Sequence, residues 1–367
     1  MAKLVILGLS ITSSWGNGHA TTYRGLVKAL ARRGHEILFL ERETPWYAAH
    51  RDQARSPFAR LALYRGLADL DRRFGESVAD ADAVIVGSFV PDGIEVCAWA
   101  LERARGPVAF YDIDTPVTLA SLERGDCAYL SRDLLARFDL YLSFTGGPVL
   151  DLLQDMGASR AAPLYCSVDP DTHFPIRVRR EWELGYIGTY AADRQPALEE
   201  TLFAAARRLP ERQFVCAGPL YPEGIEWPEN VLHIAHLPPA AHARFYCAQK
   251  FTLNLTRRDM LAFGYSPSVR LFEAAACGVP IISDAWAGLE SFFTPDEEIL
   301  LAGSAGEILD ILERVSPRRR SAIAEAGRRR AIRSHTAAHR ACELEQLLDL
   351  AASQAAGKSL QRRALVS

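Results

Sequence analysis

The chain has 367 residues, of which 49% are hydrophobic and 24% are charged. This is the composition of a folded globular protein, and the length predicts two domains. The formal net charge of −3 provides no basic field for nucleic acid, and no apolar run reaches the eighteen residues that a membrane-spanning helix needs. The apolar run at the N-terminus is short and leads into a Gly-rich turn. We therefore interpret it as a buried strand rather than a secretion signal.

Seven cysteines are scattered along the chain. Their number is odd, no pair has CxxC spacing, and most lie inside apolar runs. This pattern indicates reduced, packed thiols rather than a disulfide framework or a zinc site. It predicts a cytoplasmic protein.

Short apolar, β-branched runs alternate with helical patterns along the whole chain. Runs that are apolar throughout predict parallel strands with both sheet faces covered. Six lie in each half of the chain, at 4–9, 36–41, 82–88, 108–113, 140–145, 163–168, 184–189, 213–218, 230–235, 251–256, 279–284 and 298–303. The predicted fold class is α/β, with two Rossmann-like, doubly wound parallel-sheet domains joined near residue 175.

The end of the chain has a helical pattern. Residues 305–352 are rich in Ala, Arg and Glu, with a predicted break from Ser334 to Thr336. Residues 353–367 lack a clear apolar stripe, and we expect a frayed tail there.

A Gly-rich turn follows the first predicted strand. Gly16, Asn17 and Gly18 precede a helical pattern from about Ala20 to Arg33. The turn and the helix start should lie at the carboxyl edge of the sheet, where open α/β folds bind ligands and anions. His19, at the helix start, is a candidate base or hydroxyl contact; capping or loop packing is the alternative.

The same turn can be compared with dinucleotide-binding loops. Gly16 and Gly18 match G-x-G, but Thr21 stands where the third glycine belongs, and the loop is longer than usual. Glu41, at the end of the second predicted strand, is near the position of an acidic NAD-ribose contact. We disfavour NAD binding, which an NAD titration tests.

The second half contains a sharper pattern, a strand at 251–256 followed by a loop and a helix. The predicted helix begins with Ser266 as N-cap and Pro267 at N1, and it ends at Gly278. Its free backbone N–H groups and the hydroxyls of Ser266 and Ser268 suit a pyrophosphate.

Glu273 lies seven residues past this predicted cap, roughly 10 Å along the helix axis. That is about the distance from a nucleotide's pyrophosphate to its ribose, and a carboxylate can accept both hydrogen bonds of a vicinal diol. The alternative is a surface pair with Arg270 at i, i+3. The apolar neighbours of Glu273 favour a buried carboxylate that faces a ligand.

The segment SPSVRLFEAAACGVPIISD, at 266–284, resembles the donor-nucleotide motif of GT-B glycosyltransferases related to family 4. More closely, it resembles the CgeB-like spore-maturation branch. Further matches are GHE at 34–36, YIGTYAADR at 186–194, YCSVDPDTHFP at 165–175 and HTAAHRACELE at 335–345. The resemblance covers essentially the whole chain. It departs at Tyr265, which stands where family 4 carries its first motif glutamate, and this leaves the donor sugar and the stereochemistry open.

The resemblance implies two Rossmann-like domains that face a cleft. The implied domains are an acceptor-side domain at 1–172, a donor domain at 173–335, and a C-terminal helix at 336–367 that packs back across the domains. The leaving diphosphate would be stabilised by basic side chains and helix N-termini, without a metal or other cofactor. The implied donor-binding residues are Gly188, Tyr190, Arg194, Arg257, Arg258, Tyr265, Ser266, Pro267, Ser268 and Glu273.

Two other clusters resemble metal sites. Asp112 and Asp114 spell D-x-D at the end of a first-domain strand. We expect them to face the acceptor, with Asp114 and His19 as catalytic candidates, or to close the strand with an Asx turn. His233 and His236 lie on opposite faces of a strand, which favours packing over a shared ion.

The predicted function is therefore a metal-independent, retaining glycosyltransferase that uses a nucleotide-diphosphate sugar, with UDP as the expected nucleotide. The alternatives are a nucleotide-sugar epimerase or hydrolase on the same fold, and a catalytically silent nucleotide-binding assembly protein. The expected partners are the donor and an unidentified acceptor, but not nucleic acid.

Overall fold

The computed structural model describes the backbone of residues 1–364 and the side chains of residues 1–354. The chain forms two compact units. The first contains Met1–Tyr165 and the chain from Ala337 onward, and the second contains Cys166–Thr336. No helix of the described residues is both long enough and apolar enough to cross a membrane. All seven cysteines lie within the described part of the chain and are free thiols.

The first unit is built on a seven-stranded parallel sheet. Its strand order is β3-β2-β1-β4-β5-β6-β7. The strands are β1 Lys3–Gly8, β2 Glu36–Arg42, β3 Arg60–Tyr64, β4 Ala83–Gly87, β5 Val108–Asp112, β6 Leu140–Ser143 and β7 Ala161–Pro163. The sequence predicted β1, β2, β4, β5 and β6. It placed the last strand at 163–168, which shares only residue 163 with β7, and it missed β3. That edge strand has only one fully buried residue, and its apolar run at 61–64 is short and has an arginine on each side.

Helices of the first unit follow most of these strands. They are α1 His19–Arg32, α2 Pro45–Ala48, α3 Leu67–Ala79, α4 Gly93–Arg103, α5 Thr115–Arg124, α6 Arg132–Leu135 and α7 Val149–Asp155.

The second unit is built on a six-stranded parallel sheet of order β10-β9-β8-β11-β12-β13. All six of its predicted strands are present. They are β8 Trp182–Ile187, β9 Phe214–Ala217, β10 Val231–Ile234, β11 Gln249–Asn254, β12 Ile281–Ser283 and β13 Leu300–Leu301. Two parallel sheets with interleaved helices confirm the predicted fold class.

Helices and two short helical turns connect the strands of the second unit. They are α8 Gln195–Leu198, a π turn at Glu199–Phe203, α9 Ala204–Arg208, α10 Pro239–Cys247, α11 Arg258–Phe263, α12 Val269–Ala276, a 3₁₀ turn at Leu289–Ser291, α13 Ala305–Arg314 and α14 Pro317–Ser334.

The last helix, α15 (Ala337–Ala364), belongs to the first unit. Ala341, Leu344 and Leu348 are buried in the same apolar core as β1 and α1. At the surface, Glu345 accepts hydrogen bonds from Arg33 at 2.5 Å and lies 2.6 Å from Nε2 of His35. The helix is therefore held by packing and by an ion pair at one end of α1.

The units meet at 165/166 and at 336/337, whereas the expected domain boundaries were 172/173 and 335/336. The backbone N–H of Val168 donates to His335 O at 3.0 Å, and Val168 forms a bridge with Thr336. These bonds attach the start of the connecting segment to the second unit. The expected helix break is present, since α14 ends at Ser334 and α15 begins at Ala337. Of the expected frayed tail, residues 353–364 are helical and residues 365–367 lie outside the described part of the chain.

Glycines end the two central strands of the first sheet because Tyr23 packs over them. A Cβ on Gly87 would lie 2.0 Å from the hydroxyl oxygen of Tyr23, and a Cβ on Gly8 would lie 2.3 Å from the ring of Phe39. Tyr23 is fully buried and contacts Phe39 edge-on, with the ring centroids 5.1 Å apart. The central strands can therefore carry only glycine where this aromatic pair crosses them.

We predict that Gly87→Ala destabilises the protein, because the added methyl group forces the buried Tyr23 ring to move. Overpacking of this kind costs about 1–3 kcal/mol, which chemical denaturation measures as a lower midpoint. Gly18→Ala is the matched control in the same unit, since nothing lies within 4 Å of its Cβ position and its φ is −65°. Equal midpoints for the two variants would contradict the packing argument.

Candidate functional site

The second unit has a cavity of about 660 Å³ at the carboxyl edge of its sheet. Two loops form it, one after β8 and one after β11. Because β8 and β11 are parallel neighbours, their carboxyl ends meet at this edge. The lining residues are Thr189, Tyr190, Ala191, Ala192, Asp193, Arg194, Arg257, Arg258 and Asp259. Four predicted donor-binding residues, Tyr190, Arg194, Arg257 and Arg258, are thus brought together.

Three arginines and two aspartates line this cavity. Asp193 organises them: its Oδ2 lies 3.6 Å from Nε of Arg257 and accepts the backbone N–H of Arg258 at 3.3 Å. Arg194 donates from Nη2 to Thr189 O at 2.5 Å, which anchors its side chain to the loop. The cationic groups outnumber the carboxylates, so the cavity suits an anion.

Arg270 is a fourth cationic group at the same edge, and the sequence did not assign it to the site. The alternative interpretation of Glu273 proposed a surface pair with Arg270, and the structure does not contain that pair. Only 6% of Arg270 is exposed. It donates from Nε to Ile187 O at 2.5 Å and from Nη1 to Asn254 Oδ1 at 2.7 Å. An arginine inside an otherwise apolar helix was the signal that could have identified it.

A buried polar network supports Arg270 from behind. Asn254 donates to Oγ of Ser283 at 2.9 Å, and Asp284 accepts the backbone N–H and the hydroxyl of Thr256, each at 2.9 Å. Burial raises the pKa of Asp284 above its usual value. The network connects β11 and β12 at their carboxyl ends and fixes the loop that carries Arg257.

The helix start predicted at Ser266 is wrong by two residues. Tyr265 has a φ of +47°, and its backbone N–H donates to Ala287 O at 2.7 Å. The carbonyl of Pro267 accepts from the thiol of Cys166 at 3.0 Å. Tertiary bonds thus hold the segment outside the helix until Ser268, which is the N-cap of α12 with extended backbone angles and no side-chain cap bond.

Glu273 lies five residues past the observed N-cap, and it does not line the cavity. It is 4% exposed, and its Oε2 accepts from the hydroxyl of Tyr246 at 3.0 Å. Nε2 of His173 is 3.5 Å from Oε1, and Nδ1 of His242 is 3.9 Å from Oε2. The carboxylate is buried as expected, but it faces two imidazoles and a phenol rather than the cavity.

His173, His242 and Glu273 are a group whose possible ligand atoms lie within 4.8 Å of one another. Two imidazoles and a carboxylate can hold a divalent ion. The nitrogens that face the carboxylate, Nε2 of His173 and Nδ1 of His242, are buried and have no hydrogen-bond partner among the described residues. Burial lowers the pKa of His242, and His242 Nε2 lies 3.2 Å from the carbonyl of Leu237. Sequence reasoning considered only the other histidine pair; of these, His233 stacks on Trp227 with ring centroids 4.2 Å apart.

The Gly-rich turn of the first unit is held by Asn17. Its side-chain amide donates to Ser10 O at 3.1 Å and to Ser13 O at 3.0 Å, and its Oδ1 accepts the backbone N–H of His19 at 3.0 Å. Gly16 has a φ of +58°, which the turn requires. Asn17 is therefore occupied in shaping the turn that ends at Gly18.

His19 is the first residue of α1, and its ring contacts Phe89 edge-on with centroids 5.5 Å apart. Burial lowers its pKa to about 4, so the imidazole is neutral near pH 7. A neutral imidazole at a sheet's carboxyl edge is chemically able to accept a proton.

The hypothesis of a dinucleotide-binding loop requires carboxylate oxygens of Glu41 that are free to bind the ribose, and these oxygens are already occupied. Glu41 is 1% exposed and accepts hydrogen bonds from the hydroxyls of Ser10 and Thr12 at 2.9 and 2.7 Å. It also accepts from the backbone N–H groups of Ile11 and Thr12 at 2.8 and 3.0 Å. The carboxylate is saturated by its own chain, which argues against a ribose contact there.

The D-x-D pair also divides into two roles. Asp112 is fully buried and accepts from Tyr141 at 2.5 Å, Thr118 at 2.8 Å and the backbone N–H of Asp114 at 3.2 Å. The last bond is an Asx turn, and burial raises the pKa of Asp112. Asp114 is half-buried at the N-cap of α5. Asp112 thus supports the strand end, whereas Asp114 lies nearer the surface of the edge.

Residues 194–346 match the family model described as glycosyl transferase-like. No curated protein matches the chain by sequence.

Solved structures match over 95% of the chain at low sequence identity. Sucrose-phosphate synthase from Thermosynechococcus elongatus has 15% identity, a TM-score of 0.67 and 99% of its own chain covered. Anabaena Alr3699/HepE in complex with UDP and glucose has 13% identity, a TM-score of 0.67 and full coverage. An alpha-glucosyltransferase in complex with UDP has 11% identity, a TM-score of 0.72 and full coverage. At these identities, the likeness shows the fold.

We predict that Glu273→Ala lowers the free energy of unfolding by about 1–3 kcal/mol, because it leaves the buried hydroxyl of Tyr246 without its acceptor. Glu273→Gln keeps an acceptor oxygen and should lose less. Chemical denaturation measures both, with the exposed Glu297→Ala as the control. If Glu273→Ala and Glu297→Ala unfold at the same denaturant concentration, the buried cluster does not contribute to stability.

Proposed function

We propose that this chain, with the GT-B fold, is a glycosyltransferase that transfers a sugar from a UDP-sugar to an acceptor hydroxyl, with retention and without a catalytic metal. The observation that carries the proposal is the cluster of Arg194, Arg257 and Arg258 around the cavity of the second unit. UDP is the nucleotide printed for two of the similar structures.

The proposed chemistry depends on charge at the leaving group. Breaking the sugar–phosphate bond places additional negative charge on the UDP diphosphate, and fixed cations stabilise that charge in the transition state. Arg194 and Arg257 come from different loops, so they can approach the diphosphate from two sides. Their positive charge replaces the divalent ion that other sugar transferases use.

Retention is supported by the resemblance of the α12 segment to family 4 and not by a motif carboxylate. Tyr265 stands in place of the first glutamate, and its backbone is tied to Ala287. The configuration of the product's anomeric carbon, measured by NMR immediately after transfer, tests this part of the proposal.

Acceptor activation is assigned to the first unit in this proposal. His19 is neutral near pH 7, and Asp114 is half-buried at the same sheet edge. Either group can take the proton of an acceptor hydroxyl. Sugar turnover without an added acceptor would instead favour the epimerase or hydrolase alternative.

Free thiols at all seven cysteines support a cytoplasmic location.

The ribose contact predicted for Glu273 stays a prediction, because no observation tests it. The carboxylate is enclosed by His173, His242 and Tyr246. Calorimetry of UDP binding to Glu273→Gln tests it, because this variant keeps the side chain's shape. A lost charged hydrogen bond should weaken binding roughly 10-fold or more.

We predict that transfer survives exhaustive treatment with EDTA, because the arginines already supply positive charge at the diphosphate. The rate is measured before and after treatment, and again after Mg²⁺ or Mn²⁺ is added. Complete loss on chelation, with recovery on adding the ion, would contradict metal independence.

We predict that Arg194→Ala and His19→Ala separate donor binding from acceptor activation. Arg194→Ala should raise the donor KM and lower kcat, because the charge contacts both the bound and the departing diphosphate. His19→Ala should lower kcat by roughly 10²- to 10⁴-fold and leave the UDP affinity nearly unchanged.

Calorimetry with UDP on both variants provides the comparison, and Asp114→Asn tests the second base candidate in the same way. If His19→Ala abolishes UDP binding while Arg194→Ala retains it, the donor is bound by the first unit.

A further inference from the structure

Three polar side chains of the second unit meet away from the arginine-lined cavity. His173 lies in the segment before β8, His242 lies on α10, and Glu273 lies on α12. His173 is 2% exposed, and its possible ligand atoms lie within 4.8 Å of those of the other two residues. None of the three lines the cavity. The group therefore joins three separate segments at a place that the proposed chemistry does not use.

The tautomer of His173 is set by Thr172. Oγ1 of Thr172 lies 3.0 Å from Nδ1 of His173 and donates its own proton to Asp169 O, also at 3.0 Å. Because a hydroxyl has only one proton, this oxygen accepts the proton on Nδ1 of the imidazole. Nε2 of the neutral ring is then a lone pair, and it faces Oε1 of Glu273 at 3.5 Å.

The carbonyl of Leu237 sets the tautomer of His242. A carbonyl oxygen can only accept, so Nε2 of His242, 3.2 Å from Leu237 O, carries the proton of the neutral ring. Nδ1 is then the lone pair, 3.9 Å from Oε2 of Glu273. Two buried lone pairs without a hydrogen-bond partner among the described residues thus face a carboxylate. Such an arrangement of acceptors calls for a cation.

The separations between these atoms distinguish a metal ion from a shared proton. A charged N–H···O bond brings its heavy atoms to about 2.7–2.9 Å, whereas the nitrogens here lie 3.5 and 3.9 Å from the carboxylate oxygens. A tetrahedral zinc ion lies about 2.0–2.2 Å from each nitrogen or oxygen ligand, which places neighbouring ligand atoms roughly 3.3 Å apart. Both observed separations are closer to the value for a shared zinc ion.

The hydrogen bonds around the group are those that metal ligands need. A ligating imidazole donates its other ring N–H to a nearby acceptor, and a ligating carboxylate is itself hydrogen-bonded. Thr172 and Leu237 are the acceptors for the imidazoles, and the hydroxyl of Tyr246 donates to Oε2 of the carboxylate at 3.0 Å. Tyr246 follows His242 by one turn of α10, so a single helix supplies one ligand and orients another.

We propose that His173, His242 and Glu273 bind one Zn²⁺ ion, which ties the segment before β8 to α10 and α12. The chain supplies two nitrogens and one oxygen, and water completes the tetrahedron. This ion stabilises the fold and takes no part in transfer, so the proposal is independent of the proposed function. A carboxylate has about four lone-pair sites, so zinc does not exclude the ribose contact predicted for Glu273.

The experiment measures the zinc affinity of the full chain. Metal is removed with a chelator, Zn²⁺ is titrated back by calorimetry, and melting temperatures are recorded with and without it. Co²⁺ in place of Zn²⁺ reports tetrahedral coordination by its visible absorption. The proteins are wild type, His173→Gln, His242→Gln, Thr172→Val and, as a matched control from the same unit, His233→Gln, whose ring stacks on Trp227 outside the group.

We expect wild type and His233→Gln to bind one Zn²⁺ per chain and to melt at a higher temperature when loaded. His173→Gln and His242→Gln should each bind Zn²⁺ roughly 100-fold more weakly or worse, because each loses a ligand. Thr172→Val keeps the shape of the side chain but removes the acceptor that orients His173, and it should lose about 10- to 100-fold. Removal of zinc should lower the melting temperature without changing the transfer rate well below it.

A wild-type protein that binds no Zn²⁺ would overturn the proposal. If its melting temperature still falls when either histidine is replaced, the group is an ion pair that shares a proton. Equal zinc affinity in wild type and in the two histidine variants would also overturn it, because the ion would then bind elsewhere. Should a histidine variant not fold, Thr172→Val and the Co²⁺ spectrum of the wild type decide: unchanged affinity in the one, or no tetrahedral absorption in the other, contradicts the site.

Discussion

The parallel pairing of β8 with β11 is the constraint on which the rest of the second unit depends. Both faces of the sheet are covered, so charged groups can collect only at its ends. The pairing brings the carboxyl ends of these two strands side by side, and each continues into a loop that carries arginine. Arg270 then returns from α12 to the same edge and bonds to the end of each strand. The concentration of positive charge thus follows from strand order.

The corresponding edge of the first unit uses its polar groups in another way. Glu41, Asn17 and Asp112 are buried, and their hydrogen bonds go to nearby segments of the same unit. They hold the turns in place but leave little capacity for a ligand. The two catalytic candidates, His19 and Asp114, are by contrast partly exposed. At the edge of the first sheet, the polar groups are therefore paired with each other, whereas the edge of the second sheet has excess cationic charge. This difference is the physical basis for assigning different substrates to the two edges.

Elements whose identity depends on continuous burial could be predicted from the sequence. The central strands have unbroken apolar runs, and so both sheets were expected with nearly correct bounds. β3 was missed because it is a half-buried edge strand. The start of α12 was displaced because Tyr265 and Pro267 bond to distant segments, which local capping rules do not include.

The residues of the candidate site likewise divide into those that the sequence identified and those that it missed. Arg194, Arg257 and Arg258 were implied by the family resemblance, and the pairing of β8 with β11 brings the loops that carry them together. The partners of Glu273 come from α10 and from the segment before β8, which no spacing rule connects to α12. The sequence offered Arg270 only as the surface partner in the disfavoured alternative for Glu273, and it gave Arg270 no role in the site. Tertiary contacts decide all of these cases.

The position of α15 has a consequence for synthesis of the chain on the ribosome. The core of the first unit includes Ala337, Ala341 and Leu344, so its apolar face is incomplete until residues 337–351 have emerged. The second unit is continuous in sequence and has its own separate core. Since domains fold as units during synthesis, the later half of the chain can reach its native state before the earlier half does. The N-terminal segment must then wait, with its first helix uncovered, for the helix that closes it.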